Sequence, residues 1–123
     1  MRRADTQRET ATVILSRLQA VAELSDGELD ALVEQATVDA YDEYEQLASF
    51  HGVIEEHLAV PFWTTVLGVE VAVTKIDLVS GSGVVAICSR GKLRQAIGIL
   101  DLPLPAPPPA GAKWIDAYRR WAA

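Results

Sequence analysis

The chain has 123 residues, half of them hydrophobic, and a formal net charge of -6, which is the composition of one globular domain. Its single cysteine, Cys88, excludes an internal disulfide and any CxxC metal site. No apolar stretch approaches the roughly 20 residues of a membrane span, and the arginine pair at positions 2 and 3 lacks the apolar segment of a secretory signal. We therefore expect a cytoplasmic protein without a membrane partner.

The charges are distributed very unevenly along the chain. Residues 18–74 contain twelve acidic side chains and no lysine or arginine, whereas the rest of the chain carries five acids and eleven bases. Such an acidic field repels phosphate backbones and attracts cations. The distribution predicts that this half of the chain has no nucleic-acid partner.

Three helices are predicted before the first proline. The first covers Asp5–Glu23, where apolar side chains recur every three to four residues. The second begins after Ser25, because Ser25 and Glu28 have the spacing of a capping box. The third begins after Asp42, which repeats that signal with Glu45, and it ends before the proline, which cannot continue a helix.

Alternating β-branched residues after position 61 predict about four short antiparallel strands, at 62–67, 69–78, 84–88 and 93–99. The alternation slips in the second strand, which predicts a β-bulge near Thr74 and Lys75. Glycine-containing segments at 80–83 and 90–92 predict turns. The strands suit a small barrel, because closure removes exposed sheet edges.

The end of the chain predicts a strap followed by a short helix. Five prolines in Leu102–Pro109 require an extended, semi-rigid segment. Beyond Gly111, Trp114, Tyr118 and Trp121 recur at helical spacing. We expect this aromatic face to pack on the domain, with ligand binding as the alternative.

The acidic segment Val38–Gln46, at the start of the third helix, is the main candidate for chemistry. Its four carboxylates either cap the helix and interact with its dipole, or bind a metal ion. The second hypothesis is supported by the lack of nearby bases in the sequence, because crowded carboxylates repel one another unless they are protonated or paired with a cation. Calcium takes six to eight oxygen ligands of this kind, and magnesium is a competitor.

Other sites are excluded by inspection of the sequence. An EF-hand loop starting at Asp39 would place Tyr44 where the turn glycine must be. His51 and His57 are six residues apart and do not share a helix face as zinc ligands would. Cys88 lies in an apolar run that predicts burial. Since no nucleophile, acid–base pair or phosphate loop is in place, we expect no enzymatic activity.

The string VDAYDEYEQLASFHGVIEEHLAVPF, Val38–Phe62, resembles the CcbP-type family of bacterial non-EF-hand calcium-binding proteins. The likeness is carried by an Asp-Ala-Tyr-x-Glu-x-Glu-Gln order that leads a helix ending in Pro-Phe, and it extends weakly to the Ile-Asp-Ala-Tyr-Arg-Arg-Trp ending, covering roughly residues 30–123. It implies Ca²⁺ binding by Asp39, Glu43, Glu45 and Glu55. On chemistry alone we add Asp42 and Glu56.

The predicted fold is α+β in one domain, with N-terminal helices, a small antiparallel SH3-like barrel and a C-terminal helix. Residues 1–37 form a helical addition, 38–61 the acidic helix, 62–101 the barrel, and 102–123 the strap and last helix. The leading hypothesis is a calcium buffer or sensor. The alternative is an SH3-like protein-interaction module whose acidic face docks a basic partner segment.

The acidic residues at the two ends of the third helix cannot share one ion if that helix is continuous. Glu45 and Glu55 would lie about 15 Å apart, whereas calcium lies roughly 2.3–2.6 Å from its ligands. We therefore expect either two sites or a break in the helix at residues 49–52. The two-site arrangement has one site at the start of the helix and a weaker one near Glu55 and Glu56.

Overall fold

The computed structural model describes residues 24–123, so the first predicted helix lies outside the described residues. The helices are α1 (Asp26–Ala36), α2 (Glu43–His57) and α3 (Lys113–Ala122). The strands are β1 (Phe62–Val66), β2 (Val69–Val79), β3 (Gly83–Arg90) and β4 (Leu93–Gly98), and a 3-10 turn (Ile99–Asp101) follows them. The α+β class is confirmed. None of the described helices combines the length and apolar character that crossing a membrane requires.

Both predicted capping boxes are present. At α1, Glu28 N donates to Ser25 Oγ at 3.1 Å, and Ser25 N donates to Glu28 Oε1 at 2.8 Å. At α2, Glu45 N donates to Asp42 Oδ1 at 2.8 Å, and Asp42 N donates to Glu45 Oε1 at 3.3 Å. Each box satisfies amides that the first turn of a helix leaves without a partner, and so determines where the helix begins.

The four strands form one antiparallel sheet in the order β1-β2-β3-β4. The register of β2 on β3 shifts between Val73 and Lys75, which confirms the predicted bulge. The first and last strands are slightly shorter than predicted, because Leu67 lies in the β1–β2 turn and Ile99 begins the 3-10 turn.

The sheet is not closed into a barrel, so the SH3-like part of the fold prediction is not confirmed. Within residues 24–123, β1 pairs only with β2, and β4 pairs only with β3. The side chains that face inward from β2 and β3 are instead covered by α2. Helix packing thus buries the apolar face that strand closure was expected to bury.

The core lies between the sheet and the helices α2 and α3. Phe50 and Ile54 of α2 are fully buried. Phe50 contacts the rings of Tyr118 and Trp121, with centroid separations of 5.5 and 5.4 Å. Trp114 is also buried, so the predicted docking of the aromatic face of α3 is confirmed. Cys88 is buried in the same core, as predicted.

The proline-rich segment Leu102–Pro109 contains neither helix nor strand, as predicted. It is held at both ends. The hydroxyl of Thr64 on β1 donates to the carbonyl of Pro103, and Ala59 N, just after α2, donates to the carbonyl of Ala110 at 2.9 Å. These bonds fasten the strap to the sheet and to the end of α2 before the chain enters α3.

A base from the C-terminal helix compensates part of the acidic stretch. Arg120 Nε and Nη2 donate to the two carboxylate oxygens of Asp30 at 2.9 and 3.3 Å, and Nη1 lies 3.1 Å from Asp26 Oδ1. This two-point hydrogen bonding lowers the pKa of Asp30 below its ordinary value, and the charge of Arg120 adds to the effect.

Replacing Arg120 with glutamine is expected to return the pKa of Asp30 upward to its ordinary value. A carboxylate with a lowered pKa stabilises the fold above its unfolded pKa, and that contribution is lost as the pH falls through the lower pKa of the folded state. A ¹³C NMR titration of the carboxyl groups measures the change. Glu28 is the internal control, because its pKa is lowered by hydrogen bonds to Ser25 and should not move.

Candidate functional site

The six predicted calcium ligands lie at the two ends of one continuous helix. Asp39, Asp42, Glu43 and Glu45 surround the start of α2, and Glu55 and Glu56 lie in its last turn. Since α2 runs unbroken from Glu43 to His57, a break at residues 49–52 is excluded. Ten residues of helix separate Glu45 from Glu55 by about 15 Å, so these two carboxylates do not meet.

Two of the predicted ligands already have a structural role. Asp42 Oδ1 accepts from Glu45 N, and Glu45 Oε1 accepts from the amides of Tyr41, at 2.8 Å, and of Asp42. These bonds are those that the helix-capping hypothesis for the acidic segment predicts. A calcium ion would have to compete with backbone amides for these oxygens.

The remaining predicted ligands are exposed and do not converge. Asp39 and Glu43 are exposed on either side of the cap. Glu55 lies 4.0 Å from His51, and Glu56 lies 4.0 Å from His57. Within residues 24–123 no three acidic, histidine or cysteine side chains are close enough to hold a metal ion. The carboxylates therefore do not form a preassembled calcium site.

A groove of about 620 Å³ opens beside the start of α2, at the end of the sheet that carries the β2–β3 turn. We call it the acidic-aromatic groove. It is lined by Asp42, Glu43, Tyr44, Leu47, Gly83, Tyr118 and Trp121. Sequence reasoning did not find this groove. The aromatic spacing in α3 predicts core packing, and Tyr118 and Trp121 line this groove as well as packing on Phe50.

The walls of the acidic-aromatic groove are held by specific contacts. Trp121 Nε1 donates to Gln46 Oε1 at 2.8 Å, and Val84 N donates to the hydroxyl of Tyr118 at 3.4 Å. The rings of Tyr118 and Trp121 stack with centroids 5.9 Å apart. These contacts hold the aromatic wall of the groove in place.

Exposed apolar residues surround the carboxylates. Tyr41 is 86% exposed, Tyr44 is 72% exposed and Val38 is 70% exposed. We call the exposed surface formed by Val38, Asp39, Tyr41, Asp42, Glu43 and Tyr44 the acidic mouth. Its combination of carboxylates and aromatic rings is suited to a positively charged partner with some apolar surface.

Burial raises the pKa values of two groups elsewhere in the described chain. Desolvation raises the pKa of the Cys88 thiol, which keeps it protonated and weakly nucleophilic. Desolvation also raises the pKa of Asp116, and the charge of Arg119 opposes that shift. Neither Cys88 nor Asp116 is among the residues that line the acidic-aromatic groove.

No protein-family model, no curated protein and no solved structure matches this chain. The likeness of Val38–Phe62 to CcbP-type proteins therefore depends on its own residues alone.

Proposed function

We propose that this protein is a non-catalytic binding protein whose acidic mouth takes up a cation, and that calcium is the ion. The observation that carries the proposal is that Asp39, Asp42 and Glu43 are exposed together and form no ion pair with a base within residues 24–123. Arg120, which contacts the acidic stretch, is engaged by Asp26 and Asp30. The resemblance to CcbP-type proteins points to the same ion.

Calcium binding at the acidic mouth requires a local rearrangement. Calcium takes six to eight oxygens, so Asp39 and Glu43 would have to turn toward Asp42, with water completing the shell. Assembling the ligands at the time of binding lowers the affinity, because the free-energy cost of ordering these side chains reduces the net binding free energy. We therefore propose a weak site here and a second, weaker one near Glu55 and Glu56.

A second candidate function is recognition of a basic segment of another protein. The acidic-aromatic groove favours it, because a lysine or arginine side chain between Tyr44 and Trp121 would gain cation–π contacts as well as the charge of Asp42. This is the SH3-like interaction-module hypothesis, with the groove beside α2 as its docking site.

Calcium is expected to raise the melting temperature of chelator-stripped protein. An ion that binds only the folded state stabilises it by about 2.7 kcal/mol at a hundredfold excess over Kd, which is several degrees for a domain of this size. Calorimetric titration with calcium and then magnesium measures the affinities. The double variant Asp39→Asn/Glu43→Gln leaves the capping box intact and should weaken calcium binding about tenfold or more.

The matched control is Glu34→Gln/Glu70→Gln, which removes the same charge from exposed residues outside the acidic mouth. It should change the affinity less than about twofold, because separated surface charges are screened by salt. Glu55→Gln should remove only the weaker binding step. A melting curve that is indifferent to millimolar calcium and to EDTA would exclude calcium. Salt-sensitive binding of a lysine-rich peptide, weakened by the double variant, would then support the second candidate.

A further inference from the structure

A second groove lies at the opposite end of the sheet from the acidic mouth. In this meander the β2–β3 turn is at one end, and the β1–β2 and β3–β4 turns are at the other. Gly83, beside the β2–β3 turn, lines the acidic-aromatic groove. Leu67 and Leu93, beside the other two turns, line a separate groove of about 410 Å³.

This second groove, the turn-end groove, continues the inner face of the sheet beyond the helices. Cys88, on its floor, is buried, whereas Val66, Val71 and Ile97 are only partly buried against the core. The register places Val66 opposite Val69 and Ile97 opposite Ala86, on the face that elsewhere packs on α2. An apolar, concave surface therefore remains open at this end.

Its apolar rim is unfavourable in the free protein. Leu67 is 98% exposed and has a φ of 51°, in the left-handed region that leucine rarely adopts. That conformation costs roughly 1–2 kcal/mol, and leucine has no side-chain polar group to offset it. Leu93 across the groove is 74% exposed. Two exposed leucines, one of them strained, are consistent with a rim that contacts an apolar ligand.

The charge at the turn-end groove is opposite to that of the acidic mouth. Arg90 and Arg94 line it, and no Asp or Glu of the described chain does. One guanidinium nitrogen of Arg90 donates to the backbone carbonyl of Glu70 at 3.0 Å, which positions the group while leaving other N–H donors available. Apolar walls with arginines at the rim complement a molecule that has a hydrocarbon tail and an anionic head.

We infer that the turn-end groove binds a single-chain anionic amphiphile, such as a fatty carboxylate. The tail lies along Val66, Val71 and Ile97 and contacts Leu67, and the carboxylate is bound by Arg90, which the register places on the same face of the sheet as Ile97. The volume of about 410 Å³ falls within the range of roughly 300–1,000 Å³ that small-molecule sites occupy. The groove is at the other end of the sheet from the acidic mouth, so the inference does not depend on calcium binding.

Titration of the protein with decanoate below its micelle concentration tests the inference. The methyl resonances of Val71 and Ile97 should shift in NMR spectra, while those of Val53 on α2 should not. Arg90→Gln should weaken decanoate binding about tenfold, because it removes one charge-assisted hydrogen bond to the carboxylate. The matched control is Lys92→Gln, in the same turn but outside the groove lining, which should change the affinity less than about twofold.

A substitution at Leu67 separates binding from folding. Asparagine tolerates the left-handed conformation, so Leu67→Asn should leave the melting temperature unchanged or raise it, while weakening decanoate binding severalfold. Decanol, which has the same tail without the charge, should bind about tenfold more weakly than decanoate. Absence of methyl shifts with decanoate would overturn the inference. Binding only to phosphatidylglycerol vesicles would also overturn it, in favour of a membrane surface.

Discussion

Replacing Gly111 with alanine is expected to destabilise the protein by about 3 kcal/mol or more, from strain and steric overlap together. Gly111 has a φ of +88°, and a Cβ there would overlap the backbone of His57 and Leu58 at the end of α2. A backbone atom cannot rotate away as a flexible side chain can, so Gly111 and the end of α2 would have to separate. Urea denaturation followed by circular dichroism measures the loss.

The control for this substitution is Gly91→Ala. Gly91 also has a positive φ, of +60°, but nothing lies within 4 Å of its Cβ position. Gly91→Ala should lower the free energy of unfolding by about 1–2 kcal/mol, which is the cost of placing alanine in the left-handed conformation. If the two alanine variants were equally stable, the close contact between Gly111 and the end of α2 would not exist in solution.

Replacing Phe50 with alanine is expected to cost about 3–5 kcal/mol, a large part of the roughly 5–15 kcal/mol that stabilises a domain. Phe50 is fully buried and contacts the rings of Tyr118 and Trp121. Alanine favours helix more than phenylalanine does, so any loss comes from the cavity and the lost contacts. The expected change is a lower urea midpoint.

Phe50→Ala should also alter the acidic-aromatic groove, because its aromatic wall packs on Phe50. Tryptophan fluorescence should shift to longer wavelength as the ring of Trp121 becomes more hydrated. Val38→Ala is the control, since Val38 is 70% exposed and its truncation should change stability by less than about 0.5 kcal/mol. A Phe50→Ala protein as stable as this control would contradict the packing of α3 on α2.

The separation of charge along the sheet suits the two proposed sites to partners of opposite charge. The acidic mouth, beside the β2–β3 turn, presents Asp39 and Glu43, whereas the turn-end groove presents Arg90 and Arg94. Both sites combine their charge with exposed apolar side chains. Separate variants at the two ends can therefore establish each binding function independently of the other.

The locally encoded features were predictable from the sequence. The starts of α1 and α2 follow from capping boxes that span four residues each, and the bulge near Lys75 follows from a slip in the apolar alternation of one strand. The docking of Trp114 and Tyr118 follows from their spacing on one helix face. Each of these signals lies within one element, so nearby residues alone determine it.

The predicted barrel is not confirmed, because strand patterns do not specify what covers the apolar face of a sheet. An alternating strand shows that one face of the sheet must be buried, but it does not show whether a helix or another strand buries it. In this protein Phe50 and Ile54 of α2 pack on that face. The choice between helix packing and closure depends on contacts between residues distant in sequence.

Residue spacing alone predicts that Asp39 to Glu45 form an acidic helix start and that Glu55 lies too far along the same helix to join them. What surrounds the acidic residues of this chain depends on the tertiary structure. It pairs Asp30 with Arg120, 90 residues away, and it places Trp121 beside Asp42 to make the acidic-aromatic groove. Helix spacing sets distances along one element, whereas charge compensation and grooves depend on how separate elements pack together.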